Sequence, residues 1–258
     1  IISFIVGGLF ISLQTLLGER VPVRWRWAVL SLPSTMALSF LFIGLTKTMA
    51  AMPEVVQFFP AALAADYMFV LVFVLLSRYT LPISLIGGLT GWAVYAAIAL
   101  RYPPTSFTLA TLVYFLPVVF VSYWWIKRLP QTSHLAPVTM TWQRITIRAL
   151  LGGSVIATVV ILTHTLGNIW GSLFSAFPAA WSSTFVIYYL AHGKAVIPAV
   201  GKTLFFPGIL TFMIYAYVAL LTFPILGIWL GTVACYLAVI VVYSIMHFYN
   251  LYTKNFKR

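Results

Sequence analysis

Apolar sequence runs through this chain with only short polar gaps, so little of its surface suits water. Nine stretches are long enough, or nearly so, to cross a bilayer: 1–17, 27–46, 59–77, 81–100, 106–126, 145–163, 168–190, 203–223 and 226–248. A spanning helix needs roughly 20 apolar residues. Charged residues make up 7% of the chain, against roughly 25% in a soluble domain. The expected fold class is an all-α integral membrane protein of about nine transmembrane helices.

The cations give the segments an orientation. Of 15 Lys and Arg residues, all but Lys47 and Arg101 fall in alternate gaps or the tail. Arg20, Arg24 and Arg26 occupy the first gap, and Arg78 the third. Lys127, Arg128, Arg144 and Arg148 occupy the fifth, the last as the flank of segment six. Lys194 and Lys202 occupy the seventh, and Lys254, Lys257 and Arg258 the tail. Cytoplasmic loops retain Lys and Arg, so the start is expected outside and the tail inside. The net charge of +12 is scattered over short loops and forms no basic, aromatic-interleaved module, which argues against nucleic acid. Lipid, with anionic headgroups at the cytoplasmic loops, is the expected partner. Cys235, the single cysteine, excludes an intrachain disulfide and a cysteine-based metal site. Ile1 stands where Met would begin a chain, so segment one is expected to lack its first residues.

A duplication is visible in the punctuation. Under a shift of 145, Gly7-Gly8 falls on Gly152-Gly153, Pro33 on Pro178 and Pro53 on Pro198. With a slip of two, Phe58-Phe59-Pro60 falls on Phe205-Phe206-Pro207, and a shift of 142 carries Pro82-Ile83 onto Pro224-Ile225. Glycine pairs permit close helix approach, and prolines mark kinks or helix starts. Residues 1–102 then form repeat one, and 144–258 form repeat two with a basic tail. Residues 103–143 hold an extra helix and a polar cytoplasmic linker, 129–143. An odd number of spans before the second copy inverts it, and inverted repeats are a recurring plan for transporters and channels.

The second repeat, with Leu173-Phe174-Ser175-Ala176-Phe177-Pro178-Ala179-Ala180 and then Ala191-His192-Gly193-Lys194, resembles the small four-helix bacterial inner-membrane proteins of the GlpM-like type. The resemblance covers 144–248 best and 1–100 more loosely, where Leu32-Pro33-Ser34-Thr35 replaces the aromatic-Pro step. It implies a fused tandem, inverted duplication in an inner membrane, and offers no substrate or catalytic residue to carry over.

Chemistry has few places to sit. Of three acids, Glu19 adjoins Arg20, Arg24 and Arg26 as an interfacial ion-pair partner, and Glu54 follows Pro53 as a helix-start carboxylate. Asp66, beside Tyr67, lies inside segment three, seven residues from its start. An ionised carboxylate at the centre of a membrane helix costs about 2.5–3.5 kcal/mol on the lenient insertion scale. Asp66 must face the interior, be paired, or hold a proton. It reads either as a proton- or cation-coupling group or as a structural hydrogen-bonding partner of a Ser or Thr, and its counterpart in repeat two is Met213.

The kinked helices are the second candidate. Pro33 is followed by Ser34, Thr35 and Ser39, and Pro178 by Ser182, Ser183 and Thr184. A proline frees the carbonyl four residues earlier, here Val29 and Phe174. Hydroxyls or a water-lined cavity can satisfy such a group in lipid, or the hydroxyls can bond back to their own helix. Histidines 134, 164, 192 and 247 fall at span ends or in loops, with no metal spacing, and no catalytic set can be assembled. Trp92, Trp181 and Trp229 lie deep enough to line a cavity; the other Trp residues fall in interfacial belts. Three functions remain open. The first is a carrier or channel with a path between the Pro33 and Pro178 helices. The second is a non-catalytic membrane subunit packed against other membrane proteins. An enzyme on lipid-linked substrates is the third, and the scarcity of acids argues against it.

Overall fold

The computed structural model describes residues 1–21, 29, 32–47, 49–129, 138 and 141–255, without the side chains of 18, 19 and 246–255. The expectations for Glu19, Arg24, Trp25, Arg26, Trp27, His134, His247, the basic tail and most of the 129–143 linker lie outside the described residues. The described residues are helical and contain no strand. In order they are α1 (Ile2–Arg20), α2 (Ser34–Thr46), α3 (Met52–Leu76), α4 (Leu81–Arg101), α5 (Phe107–Arg128), α6 (Trp142–Thr165), α7 (Asn168–Ser175), α8 (Ala179–His192) and α9 (Ile197–Asn255).

Among them, 6 helical stretches are long and apolar enough to cross a membrane, and Ile2–Leu17 and Ser34–Thr46 are shorter apolar helices. The eighth and ninth apolar stretches lie in one helical run broken at Gly227, whose φ of 71° and ψ of 178° belong to glycine. Pro224 therefore sits near the end of a helix, while Pro82 sits at the start of α4. That pair does not occupy matching places. The hydroxyl-free run around Gly227 carried the turn instead, three residues after the proline.

Other paired positions do match in local form. A short 3₁₀ turn at Met49–Ala51 leads into α3 with Pro53 in its first turn, and another at Lys194–Val196 leads into α9 with Pro198. Pro60 and Pro207 both lie inside helices.

Helix α3 forms the axis of the packing. Its residues from Val55 to Val74 are nearly all buried, and such a helix, apolar all round, belongs in an interior. The N-terminal helices cross closely. A methyl group placed on Gly7 would meet Ile156, and one on Gly152 would meet Ile11. One on Gly8 would meet the carbonyl of Ala149, and one on Gly153 that of Phe4. Adding 145 to one member of each pair and subtracting it from the other converts the first contact into the second, and the third into the fourth.

Polar loop contacts gather at two ends. At one, Lys47 Nζ donates to Asn168 Oδ1 at 3.3 Å, and Asn168 Nδ2 donates to Glu54 Oε2 at 2.6 Å. Glu54 lies in the first turn of α3, as expected of a helix-start carboxylate. At the other, Lys194 Nζ donates to the Arg78 carbonyl at 2.8 Å, and Lys202 Nζ to those of Lys127 (3.3 Å) and Leu129 (2.8 Å). Carbonyls that end a helix lack an intrahelical donor, so a lysine there satisfies both bond and dipole. Large apolar side chains such as Ile225, Trp229, Leu230 and Leu237 face outward, as lipid contact requires.

Candidate functional site

Asp66 lies deeper than the sequence placed it. Helix α3 begins at Met52 rather than residue 59 because the Pro53 start lets Val55, Val56 and Phe58 bury in helical form. Asp66 is therefore fourteen residues into α3, roughly 21 Å along its axis. It is 4% exposed. The Trp181 side chain on α8 lies beside its carboxyl, and Oδ1 has no hydrogen-bond partner.

Tyr67 fixes the neighbourhood. Its hydroxyl donates to the Phe205 carbonyl at 3.0 Å, and Gly208 lets it approach, since a methyl there would stand 2.7 Å from that hydroxyl. Edge-on rings surround Tyr67: Phe205 at 5.0 Å, Phe115 at 6.0 Å and Trp181 at 6.1 Å between centroids. Phe115 comes from α5, whose residues Ala110–Phe115 form a π turn just before Pro117. The proline has no N–H to continue the α ladder, and the Tyr114 carbonyl accepts the Tyr95 hydroxyl at 2.8 Å. The Asp66–Tyr67 pair thus draws together α3, α5, α8 and α9.

Pro178 breaks the helical path between α7 and α8 rather than kinking it, and Pro33 stands at the start of α2. Pro33 has φ −78° and ψ 59°, and Pro178 has φ −73° and ψ 40°. In each, the following N–H reaches back two residues, Ser34 to Leu32 at 2.8 Å and Ala179 to Phe177 at 2.7 Å. That is an inverse γ-turn. Each proline carbonyl then starts the next helix, bonded by Ala37 N–H and Ser182 N–H, both at 2.8 Å.

The freed carbonyls do not find the expected hydroxyls. Gln14 Nε2 donates to Val29 at 2.8 Å and to Leu32 at 3.1 Å, while the Phe174 carbonyl accepts from Phe177 N–H at 3.1 Å. Ser182 and Ser183 bond back to the carbonyls of Ala179 and Ala180. Ser34 and Thr35 are buried at the start of α2, and Ser39 is buried with its hydroxyl unpartnered. Thr184 alone among these makes a long-range contact, accepting from Arg148 at 2.5 Å. Arg148, read as an interfacial flank, lies two turns into α6 and is half-buried.

Trp181 and Trp92 are packed inside, the latter edge-on to Phe174 and Phe177, while Trp229 is 63% exposed. His164 and His192 are exposed. Among the described residues no cluster of His, Cys, Asp or Glu could hold a metal ion. Gln14 and Phe115 were not singled out by sequence, and Arg148 only as a flank of segment six. Gln14, a lone amide in an apolar stretch, was the one signal available.

Compared with protein-family models, curated proteins and solved structures, the chain matches none.

Proposed function

We propose that this chain is a multi-pass membrane transport protein, a carrier or channel, in which Asp66 is the coupling group for a proton or cation. One observation carries the reading: the Asp66 carboxyl lies in the interior between α3 and α8 with Oδ1 unpartnered. An ionised carboxylate there costs about 2.5–3.5 kcal/mol. A bound cation or proton offsets that cost, so the site has a use for one.

The architecture proposed is two oppositely inserted four-helix halves joined by α5, nine spans in all, descended from a GlpM-like unit. The exchanged contacts of Gly7, Gly8, Gly152 and Gly153 support it, as do the matching turns at Pro33 and Pro178. Contacts that interchange under one operation are the mark of a two-fold relation. The end bearing Arg78, Lys194 and Lys202 is proposed as cytoplasmic in an inner membrane, by the bias of its cations.

The test is flux in proteoliposomes under a valinomycin-imposed potassium potential, read by trapped proton- and sodium-sensitive dyes. Wild-type protein should move one of these ions, and Asp66→Asn should abolish that movement while eluting as the wild type does. Equal flux through the variant would end the assignment of Asp66. A second reading, a non-transporting membrane subunit, draws on the close aromatic packing around Tyr67. It predicts no wild-type flux and a membrane partner that co-purifies from the native membrane.

A further inference from the structure

Two aromatic contacts bracket Asp66 along α3. Phe59 lies seven residues before it and Phe73 seven residues after. Seven residues is about two helical turns, roughly 10.5 Å, and returns to the same face with a drift of only about 20°. On that face Phe59 meets Phe40 edge-on, with centroids 5.4 Å apart, and Phe73 stacks on Phe185 at 4.7 Å.

The partners come from equivalent places. Phe40 lies seven residues after Pro33, in α2, and Phe185 seven residues after Pro178, in α8. All four rings are at most 1% exposed. Each contact is reinforced. Phe59 stacks on Phe212 at 6.5 Å, and Phe40 lies 6.4 Å from both Tyr215 and Phe223. On the other side Phe185 also meets Phe69 at 6.4 Å and Trp181 at 5.5 Å. Phe59 lies toward the Glu54 end of α3 and Phe73 toward the Arg78 end. A solute moving between Asp66 and either end along this face therefore meets a ring pair.

Resting on the transport reading, we infer that Phe40–Phe59 and Phe73–Phe185 are the two gates of the Asp66 site, and that the structure is its occluded state. Each gate is held by the helix that follows one proline turn. Such a turn is a place where a short helix can swing without bending its own ladder. Swinging α8 about Pro178 parts Phe185 from Phe73 and opens Asp66 toward the Arg78–Lys194 end. Swinging α2 about Pro33 parts Phe40 from Phe59 and opens it toward the Lys47–Glu54 end.

Sided labelling tests this without measuring transport. In a Cys235→Ala background, Asp66→Cys supplies the reporter, and a separate Lys194→Cys protein marks the face bearing Arg78 and Lys194. Right-side-out and inverted vesicles are treated with a membrane-impermeant cationic methanethiosulfonate. With both gates present, position 66 should react slowly from either face. Phe185→Ala should raise the rate by up to about tenfold from the Lys194 face alone, and Phe40→Ala by a similar factor from the opposite face alone. If an alanine variant does not accumulate, Phe185→Leu or Phe40→Leu removes the ring while keeping most of the volume. Rapid labelling with both gates present, exchanged faces, two-sided labelling in the variants, or no change in a variant that folds would each overturn the gates. Because the reporter lacks the carboxylate, absent wild-type flux would sink the transport reading and leave the sided access standing.

Discussion

The crossing of α1 and α6 makes an unequal demand on four glycines. Alanine at Gly152 would stand 2.0 Å from Ile11 Cδ1, and alanine at Gly7 2.5 Å from Ile156 Cδ1. Both obstacles are the tips of flexible side chains, which yield at about 0.5–1.5 kcal/mol. Alanine also recovers about 0.8–1.0 kcal/mol of helix propensity, so these two substitutions should be nearly neutral. Alanine at Gly153 would stand 2.6 Å from the Phe4 carbonyl oxygen, and at Gly8 3.0 Å from that of Ala149. A backbone oxygen cannot rotate aside, so the helices themselves must part. Overpacking of that kind costs about 1–3 kcal/mol. After the propensity gain, Gly153→Ala should lose up to about 2 kcal/mol and Gly8→Ala less. Thermal melts of the four purified variants in one detergent read the order directly. If Gly152→Ala lost as much as Gly153→Ala, the close backbone crossing would be wrong.

Three further substitutions probe the interior. Gly208→Ala should push Tyr67 off the Phe205 carbonyl, and Tyr67→Phe alone should cost about 1 kcal/mol. The double variant should then be more stable than the two losses combined by at least about 0.5 kcal/mol; strict additivity in the melts would contradict the 2.7 Å approach. Gln14→Leu should destabilise by about 0.5–1.5 kcal/mol, since the carbonyls of Val29 and Leu32 each lose one of two donors. A melt indistinguishable from wild type would show that the backbone N–H groups suffice.

Much of the framework was written in residues whose backbone needs are absolute. Pro33 and Pro178 announced interruptions because proline cannot donate, although they read as kinks, and the glycine pairs announced a close helix approach. Facing was not written so plainly. Lipid is as apolar as a protein core, so Phe40 and Phe185 look like any outward phenylalanine in the sequence, and no periodicity separates them. Arg148 looked interfacial because its place near a segment's start said nothing of the Thr184 hydroxyl waiting on α8. The Pro82–Pro224 pairing failed for a different reason: a proline serves equally at a helix start or near its end, and only Gly227 says which. The π turn of α5 was equally silent, since Pro117 permits several local registers.

In the proposed two-half plan helix α5 has no twin, yet it lends Phe115 to the ring cluster on Tyr67. In a machine assembled from two interchangeable halves, the two end states would be mirror images and equally populated. A brace that meets Tyr67 in the first half but Tyr217 and Phe206 in the second touches the two unequally, which removes that equality. The resting population should then lean to one side of the membrane, shifted by a helix that touches no cargo, while the gradient alone sets the direction of net movement.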